Sequence, residues 1–371
     1  MGSVHPYNSA KGKRYEARYR KPDGMQGAKR GFTRKRDAEI WLAEIETSRA
    51  KGNFIDPQAA KATVNMLGPV WLNAKRHTMK PSSFAPVETA WRLRVQPTWG
   101  GWEVAEIRHT DVRGWVAELT KTTGATVTIR TFGVLASILD DAVYDGRIAT
   151  NPARVGRIGL PRKTRGKHGY LTHDEVIRLA RECGERKLLV LMLAYTGIRW
   201  GEAAGLLVND IDFARGRIHI TRNAVEVHGK IHVGTPKSHT ARVVPVPGFL
   251  IEQLRITTMD LNRESLVFAA ADGGYMRRAR SDDGSKSWFK TALAKADLPV
   301  MTTHDLRHTA ASLAVQSGAN VKTIQRMLGH TSAAMTLDVY SDLFDEDLNA
   351  VSDRLDRGAE SAGIRTLFPE A

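Results

Sequence analysis

The sequence predicts a multidomain chain, mainly α-helical with small β-sheets. In order, it reads as a small sheet plus one helix, a helical domain, and a mixed α/β domain that is mostly helix. Three observations predict this. A chain of 371 residues has room for two or three hydrophobic cores. Alternation with a period of two appears only near residues 15–32 and 217–247, whereas apolar residues elsewhere recur at helical spacing. Positive charge comes in blocks: residues 1–36 hold eleven Lys and Arg against Glu16 and Asp23, and residues 153–167 hold six and no acid.

At the N-terminus, Tyr15, Ala17 and Tyr19 alternate as a short strand, KPDG forms a hairpin-type turn, and Lys29 to Phe32 reads as a second strand. From Lys35 the pattern turns helical, with Ala38, Trp41, Leu42 and Ile45 on one face. Basic side chains between the aromatics suit a DNA groove, and Arg14, Arg18, Arg20, Lys29 and Arg30 are the candidate contacts. An ordinary solvated basic face is the plainer alternative. GNFIDPQAAKAT reads as a linker, so the first domain spans 1–55.

The second domain, 62–152, lies in a segment that reads as helical from Val64 to Pro161. Val64, Leu67 and Trp71 share a face; Val112, Trp115, Val116 and Leu119 share another, after an N-cap at Thr110. Phe132, Leu135, Leu139, Ala142 and Val143 form a third stripe, closed by Asn151-Pro152. These are core stripes, and none resembles a catalytic constellation. A basic linker, 153–167, contributes Arg162, Lys163, Arg165 and Lys167 as further backbone-contact candidates.

The third domain, 168–371, opens with the capping-box spacing Thr172-x-x-Glu175 before the apolar run KLLVLMLAYTG. RIHITR and KIHV read as strands around a turn, and ARVVPVP as another strand. Helices are expected at 286–296, 303–317, 320–328 and 332–340. From Asp342 onward the sign of the charge reverses, with eight acids against three arginines. Leu343, Leu348, Val351 and Leu355 give that tail a helical stripe for a neighbouring protomer or, more blandly, for solvent.

Over the whole chain, 55 Lys and Arg against 40 Asp and Glu leave a net charge of +15, which makes a polyanion the expected partner. No apolar run reaches membrane-span length, and no signal-type N-terminus is present, so a cytoplasmic, membrane-free protein is expected. The single cysteine, Cys183, excludes an internal disulfide and reads as a structural residue.

The chemistry concentrates in short segments. In THDLRHT, helical spacing puts His304, Arg307 and His308 on one face and Leu306, Ala310, Leu313 and Ala314 on the other. The polar face is expected to look outward or into a cleft. TGIRWGEAAGL places Arg199 after a helix end at Gly197, with Glu202 as an ion-pair partner. LGHTS sets His330 after a helix-ending glycine, and TLDVYSDLF holds Tyr340. Taken singly, each residue has a structural explanation. Together, Arg199, His304, Arg307 and His330 could converge on one dianionic centre, with Lys237 and Tyr340 close by. Two guanidinium forks match the oxygens of a phosphate, and free N–H groups at the start of the 303 helix would add to the site.

Arg199 in TGIRWGEAAGL, the HDLRH run, LGHTS and Tyr340 ten residues after His330 resemble the tyrosine recombinase (phage integrase) family, in its order and spacing over about 140 residues. The basic N-terminal domain is most similar in arrangement to temperate-phage and mobile-element integrases. Such a likeness implies a small arm-binding domain, a SAM-like helical core-binding domain and a catalytic domain. It implies Arg199, Lys237, His304, Arg307, His330 and Tyr340 as catalytic residues, Lys237 being preferred over Lys230 because it stands just before ARVVPVP. It also implies site-specific DNA integration, and excision, through a 3′-phosphotyrosine without metal, ATP or other cofactor. The expected partners are double-stranded core and arm-type sites, three further protomers in a homotetramer, a host DNA-bending protein and an excision factor. Chromosome-dimer and transposon recombinases share this chemistry, and a non-catalytic DNA-binding protein would share the charge. A zinc hydrolase fits poorly, because Asp-Leu-Arg separates the two histidines where zinc proteases carry a water-activating Glu.

Overall fold

The computed structural model describes residues 2–21, 24–50, 55–56, 59–163, 169–236, 241–279, 287–334, 336–337 and 348–367. The chain divides into two compact units, Met1–Arg165 and Gly166–Ala371.

The first unit holds two separate hydrophobic cores. Its smaller one lies between a three-stranded antiparallel sheet and a helix: β1 (Ser3–Ser9), β2 (Gly12–Arg20), β3 (Gln26–Phe32) and α1 (Lys35–Ala50). The strand through Tyr15–Tyr19, the strand at Lys29–Phe32 and the helix from Lys35 are as the sequence predicts; β1 is an addition. Alternation on β2 buries Ala17 and Tyr19 against Ala38 and Leu42. The other face carries Arg14, Glu16, Arg18 and Arg20.

The larger core belongs to four helical segments: α2 (Val64–Thr78), α3 (Pro81–Ala90) continuing through a π-turn (Trp91–Val95) into α4 (Gln96–Trp99), α5 (His109–Thr122) and α6 (Ala125–Tyr144). The three predicted stripes line it, with Val64, Trp71, Val112, Val116, Phe132, Leu135, Leu139 and Ala142 buried. Two boundaries differ from expectation. Thr110 lies inside α5; the cap is Arg108, whose main-chain N–H donates to the Asp111 carboxylate at 3.1 Å. Asn151-Pro152 does not end α6 either, which stops at Tyr144 just before Gly146 at φ +66°. Asn151 instead donates its amide to Ala136 O at 2.7 Å and accepts Ala153 N–H at 2.8 Å, pinning the following loop onto the helix. The segment from 145 to 161 is therefore non-helical.

The second unit contains α7 (His173–Glu182), α8 (Lys187–Thr196), α9 (Trp200–Ala204), β4 (Ile211–Asp212), β5 (Arg217–Ile220), β6 (Asn223–Val227), β7 (Lys230–Gly234), β8 (Arg242–Pro245), α10 (Gly248–Thr258), α11 (Trp288–Lys295), α12 (Asp305–Gln316), α13 (Val321–Leu328) and α14 (Leu348–Ser361). The Thr172–Glu175 capping box forms as predicted. The strands pair differently from expectation. β5 lies between β4 and β8, while KIHV belongs to a separate hairpin, β6–β7. That hairpin turns at His228 (φ +50°) and Gly229 (φ +77°), the two left-handed residues a tight hairpin requires. Helices at 288–295, 305–316 and 321–328 match expectation. Of 332–340, Ala333, Ala334, Thr336 and Leu337 are helical, and the remainder of that prediction, Tyr340 included, lies largely outside the described residues.

At the centre, α12 packs on α8, an apolar helix buried along Leu189, Val190, Met192, Leu193 and Ala194. α12 itself is not amphipathic as its motif suggested. Every residue from Leu306 to Leu313 is buried, Arg307 and His308 among them. Arg307 and His308 of the polar face are thus enclosed by other elements, while His304, just ahead of the helix, keeps part of its surface open to solvent.

Candidate active site

An arginine only 3 % exposed keeps its charge and so must find partners, and Arg307 finds them at two helix ends. Its Nη1 donates to Gly197 O, just past α8, and its Nη2 to Leu328 O, the last carbonyl of α13, both at 2.5 Å. Carbonyls at helix C-termini lack intrahelical donors and sit at the negative end of the helix dipole, so a guanidinium is the natural partner for both. Each helix stops on a left-handed glycine, Gly197 at φ +64° and Gly329 at φ +66°. The chain then turns sharply and brings Arg199 and His330, one or two residues further on, towards Arg307.

Arg199 is anchored through Glu202, whose side chain is fully buried. Its Nη1 donates to Glu202 Oε1 at 2.9 Å, and its main-chain N–H to Oε2 at 2.8 Å. Arg242 of β8 grips the same carboxylate with two bonds, Nη1 to Oε1 at 2.9 Å and Nη2 to Oε2 at 2.7 Å. Those two arginines hold the Glu202 carboxyl below the usual carboxylate range against the opposing effect of burial.

His330 Nδ1 lies 3.0 Å from Thr336 Oγ1, which fixes its ring. Burial, followed by the charges of Arg307, Arg199 and Arg242, pushes the His330 imidazole down to about 4. His304 is also shifted below its ordinary value, again by burial first, then by Arg307 and Arg278. Both imidazoles are therefore neutral near pH 7. His304 sits just ahead of α12, edge-on to His308 with ring centroids 5.5 Å apart.

The structure thus brings together Arg199, His304, Arg307 and His330, four of the six residues singled out from sequence. Lys237 and Tyr340 lie outside the described residues. One expected feature is corrected. The start of α12 does not offer a row of free N–H groups: those of His304, Asp305 and Arg307 bond Thr302 Oγ1, Thr302 O and His304 O. Two participants were missed. Arg242 had a signal in period-two alternation, which sets it on the same side of β8 as buried Val244; Arg278, in a loop, had none. Cys183 is buried, and burial pushes its thiol up to about 12, consistent with a structural residue.

Among the basic candidates, Arg18 and Arg30 flank Glu16 on the open face of the N-terminal sheet, at 3.0 and 2.8 Å. Arg14 and Arg20 share that face by alternation. Lys29 does not: it pairs with inward-facing Ala17, and its ammonium lies over Trp41, 4.9 Å from the ring centroid. Arg162 and Lys163 are exposed; Arg165 and Lys167 lie outside the described residues.

The centre therefore gathers four guanidiniums and two neutral imidazoles around two carboxylates, Glu202 and Asp305, and so carries surplus positive charge; Arg307 and Arg242 are enclosed, while His304 and Arg278 keep surface open to solvent. An excess of guanidiniums suits an anion with several oxygens, such as a phosphate. Residues 169–347 match the phage integrase family, and residues 2–51 match the N-terminal domain of phage integrases. The integrase of Mycobacterium phage L5 is 30% identical over 342 residues, covering 87% of this chain and 90% of that protein. The integrase of Mycobacterium phage D29 is 28% identical over 342 residues, with 87% and 89% covered. Among solved structures, the Tn1549 transposon integrase in complex with transposon right end DNA superposes with a TM-score of 0.65 at 19% identity, covering 78% of this chain and 100% of that one. A lambda integrase dimer bound to a COC′ core site gives 0.59 at 16% identity, covering 90% and 93%. The chain belongs to the phage integrase family of tyrosine recombinases and is a site-specific DNA recombinase. No helix among the described residues is long and apolar enough to cross a membrane.

Proposed function

We propose that this recombinase integrates, and in reverse excises, a viral or other mobile DNA element through a 3′-phosphotyrosine intermediate. The carrying observation is the positively charged centre built from Arg199, Arg307, His304 and His330. In the proposed step Tyr340 Oη bonds to a backbone phosphorus and the bond to the 5′-oxygen breaks. Arg199 and Arg307 stabilise the negative charge that grows on the non-bridging oxygens. A tyrosine with a pKa near 10 needs a base at neutral pH, and His304, held neutral by burial and neighbouring guanidiniums, accepts its proton. Lys237 protonates the departing 5′-oxygen, and His330 hydrogen-bonds the phosphate. A 5′-hydroxyl from a second strand then reverses the step. Because the ester bond energy is kept in the phosphotyrosine, ATP is not required, and the guanidiniums supply the charge that a metal ion provides in other phosphoryl transfers.

In the proposed assembly four protomers hold two duplexes in the host cytoplasm, with a host DNA-bending protein and an excision factor as accessory partners. The helical domain and the catalytic unit bind core sites, Arg162, Lys163, Arg165 and Lys167 follow the DNA backbone between them, and the N-terminal sheet binds arm sites through Arg14, Arg18, Arg20 and Arg30. The match of residues 2–51 to the phage integrase N-terminal domain favours this reading over a chromosome-dimer recombinase.

The test is covalent capture. Full-length protein incubated with a randomised library of nicked duplexes should yield protein–DNA adducts stable to denaturant, and sequencing them should return one core motif. Tyr340→Phe should give none. DNA binding without adduct in the wild type would instead support a binding protein.

A further inference from the structure

Arg242 is a buried, heavily bonded cation near the centre, yet the reaction above does not use it. All three of its nitrogens are bonded: Nη1 and Nη2 to Glu202, at 2.9 and 2.7 Å, and Nε to Met327 O at 3.1 Å. Its side chain is 9 % exposed. With three of its five N–H donors directed at these protein acceptors and its surface largely covered, it is poorly placed to touch a phosphate itself.

Its partners lead elsewhere. Glu202 also holds the guanidinium and main-chain N–H of Arg199. Met327 belongs to the last turn of α13, whose next carbonyl, Leu328 O, receives Arg307 and whose chain then passes through Gly329 to His330. The stem of Arg242 packs against that turn so closely that a Cβ on Gly329 would lie 2.8 Å from Arg242 Cδ. One planar group therefore links β8, the start of α9 and the end of α13, the last two bearing Arg199 and His330. Lysine could not substitute. A single ammonium cannot meet both oxygens of a carboxylate and a carbonyl on a third element in fixed geometry.

We propose that Arg242 is a positioning residue of the recombination reaction: it fixes Arg199 through Glu202 and His330 through the α13 terminus, so that both meet the scissile phosphate. The proposal rests on the phosphotyrosine reading above. The competing account is a buried ion pair that serves folding alone, and burial by itself does not decide between them. Chemistry does. A residue that places Arg199 matters where a non-bridging oxygen carries charge, and much less where that oxygen is replaced by a methyl group.

The experiment compares wild type, Arg242→Lys and Arg242→Gln, as full-length proteins, in single-turnover cleavage of a nicked duplex bearing the captured core motif. One substrate has a normal scissile diester and the other a methylphosphonate at that position. Rate constants are compared rather than amplitudes, because they report only folded, DNA-bound protein. Both variants are expected to bind DNA within about twofold of wild type and to cleave the diester about 100-fold more slowly, a loss similar to removal of one transition-state donor. On the methylphosphonate the variants should come within about threefold of wild type, because its centre lacks the charge that Arg199 is there to offset. Equal slowing on both substrates, or an unchanged diester rate, would overturn the assignment of Arg242 alone. A wild type that attacks neither substrate would overturn the Tyr340 reading, and this assignment with it.

Discussion

Replacing Glu202 by glutamine leaves shape and volume nearly unchanged while removing the one carboxylate that Arg199 and Arg242 share. Three side-chain bonds at 2.7–2.9 Å end on that group, whose side chain is 0 % exposed. The amide keeps one acceptor oxygen, turns an NH₂ towards a guanidinium, and leaves two cations facing each other. Loss of one member of a buried ion pair costs about 3–5 kcal/mol. Arg199 is 24 % exposed and water can reach it, which favours the lower end, about 3 kcal/mol. At about 2–4 °C per kcal/mol for a unit of this size, the melting point of the catalytic unit should fall by roughly 6–12 °C. The acid branch should change as well. Glu202 is shifted below its ordinary value of 4.5 in the folded state. Its stabilisation is therefore complete above that value and is lost as pH falls through the lower folded one. In Glu202→Gln this part of the pH dependence should vanish. Thermal melts of both proteins followed by tryptophan fluorescence from pH 3 to 8 test both points. A variant melting within about 1 °C of wild type at pH 7 with the same acid branch would refute the idea that Glu202 anchors the two arginines.

Three further outcomes are expected. Gly329→Ala must hold a left-handed residue at φ +66° and press on Arg242 Cδ; it should lose about 1–2 kcal/mol or more in denaturant melts and slow cleavage with it. His330 is depressed from 6.5 to about 4, so the unfolded chain binds more protons between those values, and stability should fall as pH drops through that window. His330→Gln should show a shallower decline there in pH-dependent urea titrations. Deleting residues 1–55 should abolish arm-site binding in gel-shift assays while leaving core-site cleavage intact; unimpaired integration by the truncated protein would count against a separate arm-binding domain.

Much of the fold could be read in advance because helical periodicity and capping are local. The stripes at Val64–Trp71, Val112–Leu119 and Phe132–Ala142 needed only spacing, and Thr172–Glu175 only two side chains three residues apart. Pairings were harder, since nothing within RIHITR or KIHV states which strand lies beside it. The true β6–β7 turn rests on His228 adopting positive φ, which histidine rarely signals. The site was legible where its residues fall in compact motifs, so Arg199, His304, Arg307 and His330 could be grouped. The role of Arg242 depends on contacts with residues 40 and 85 positions away, and only the folded chain brings them together. Burial of the polar side of α12 was hidden for the same reason: Arg307 is accommodated by carbonyls from two other helices.

The bond that joins protein to DNA is the decisive feature of the reaction. Peptide mapping of the captured adduct by mass spectrometry, with end-labelling of the released strand, measures this directly. The expected result is a peptide carrying DNA on Tyr340 through a 3′-phosphate, with a free 5′-hydroxyl that a kinase can label without prior phosphatase treatment. Linkage through another residue or through a 5′-phosphate, or strand cleavage with no covalent intermediate, would contradict it.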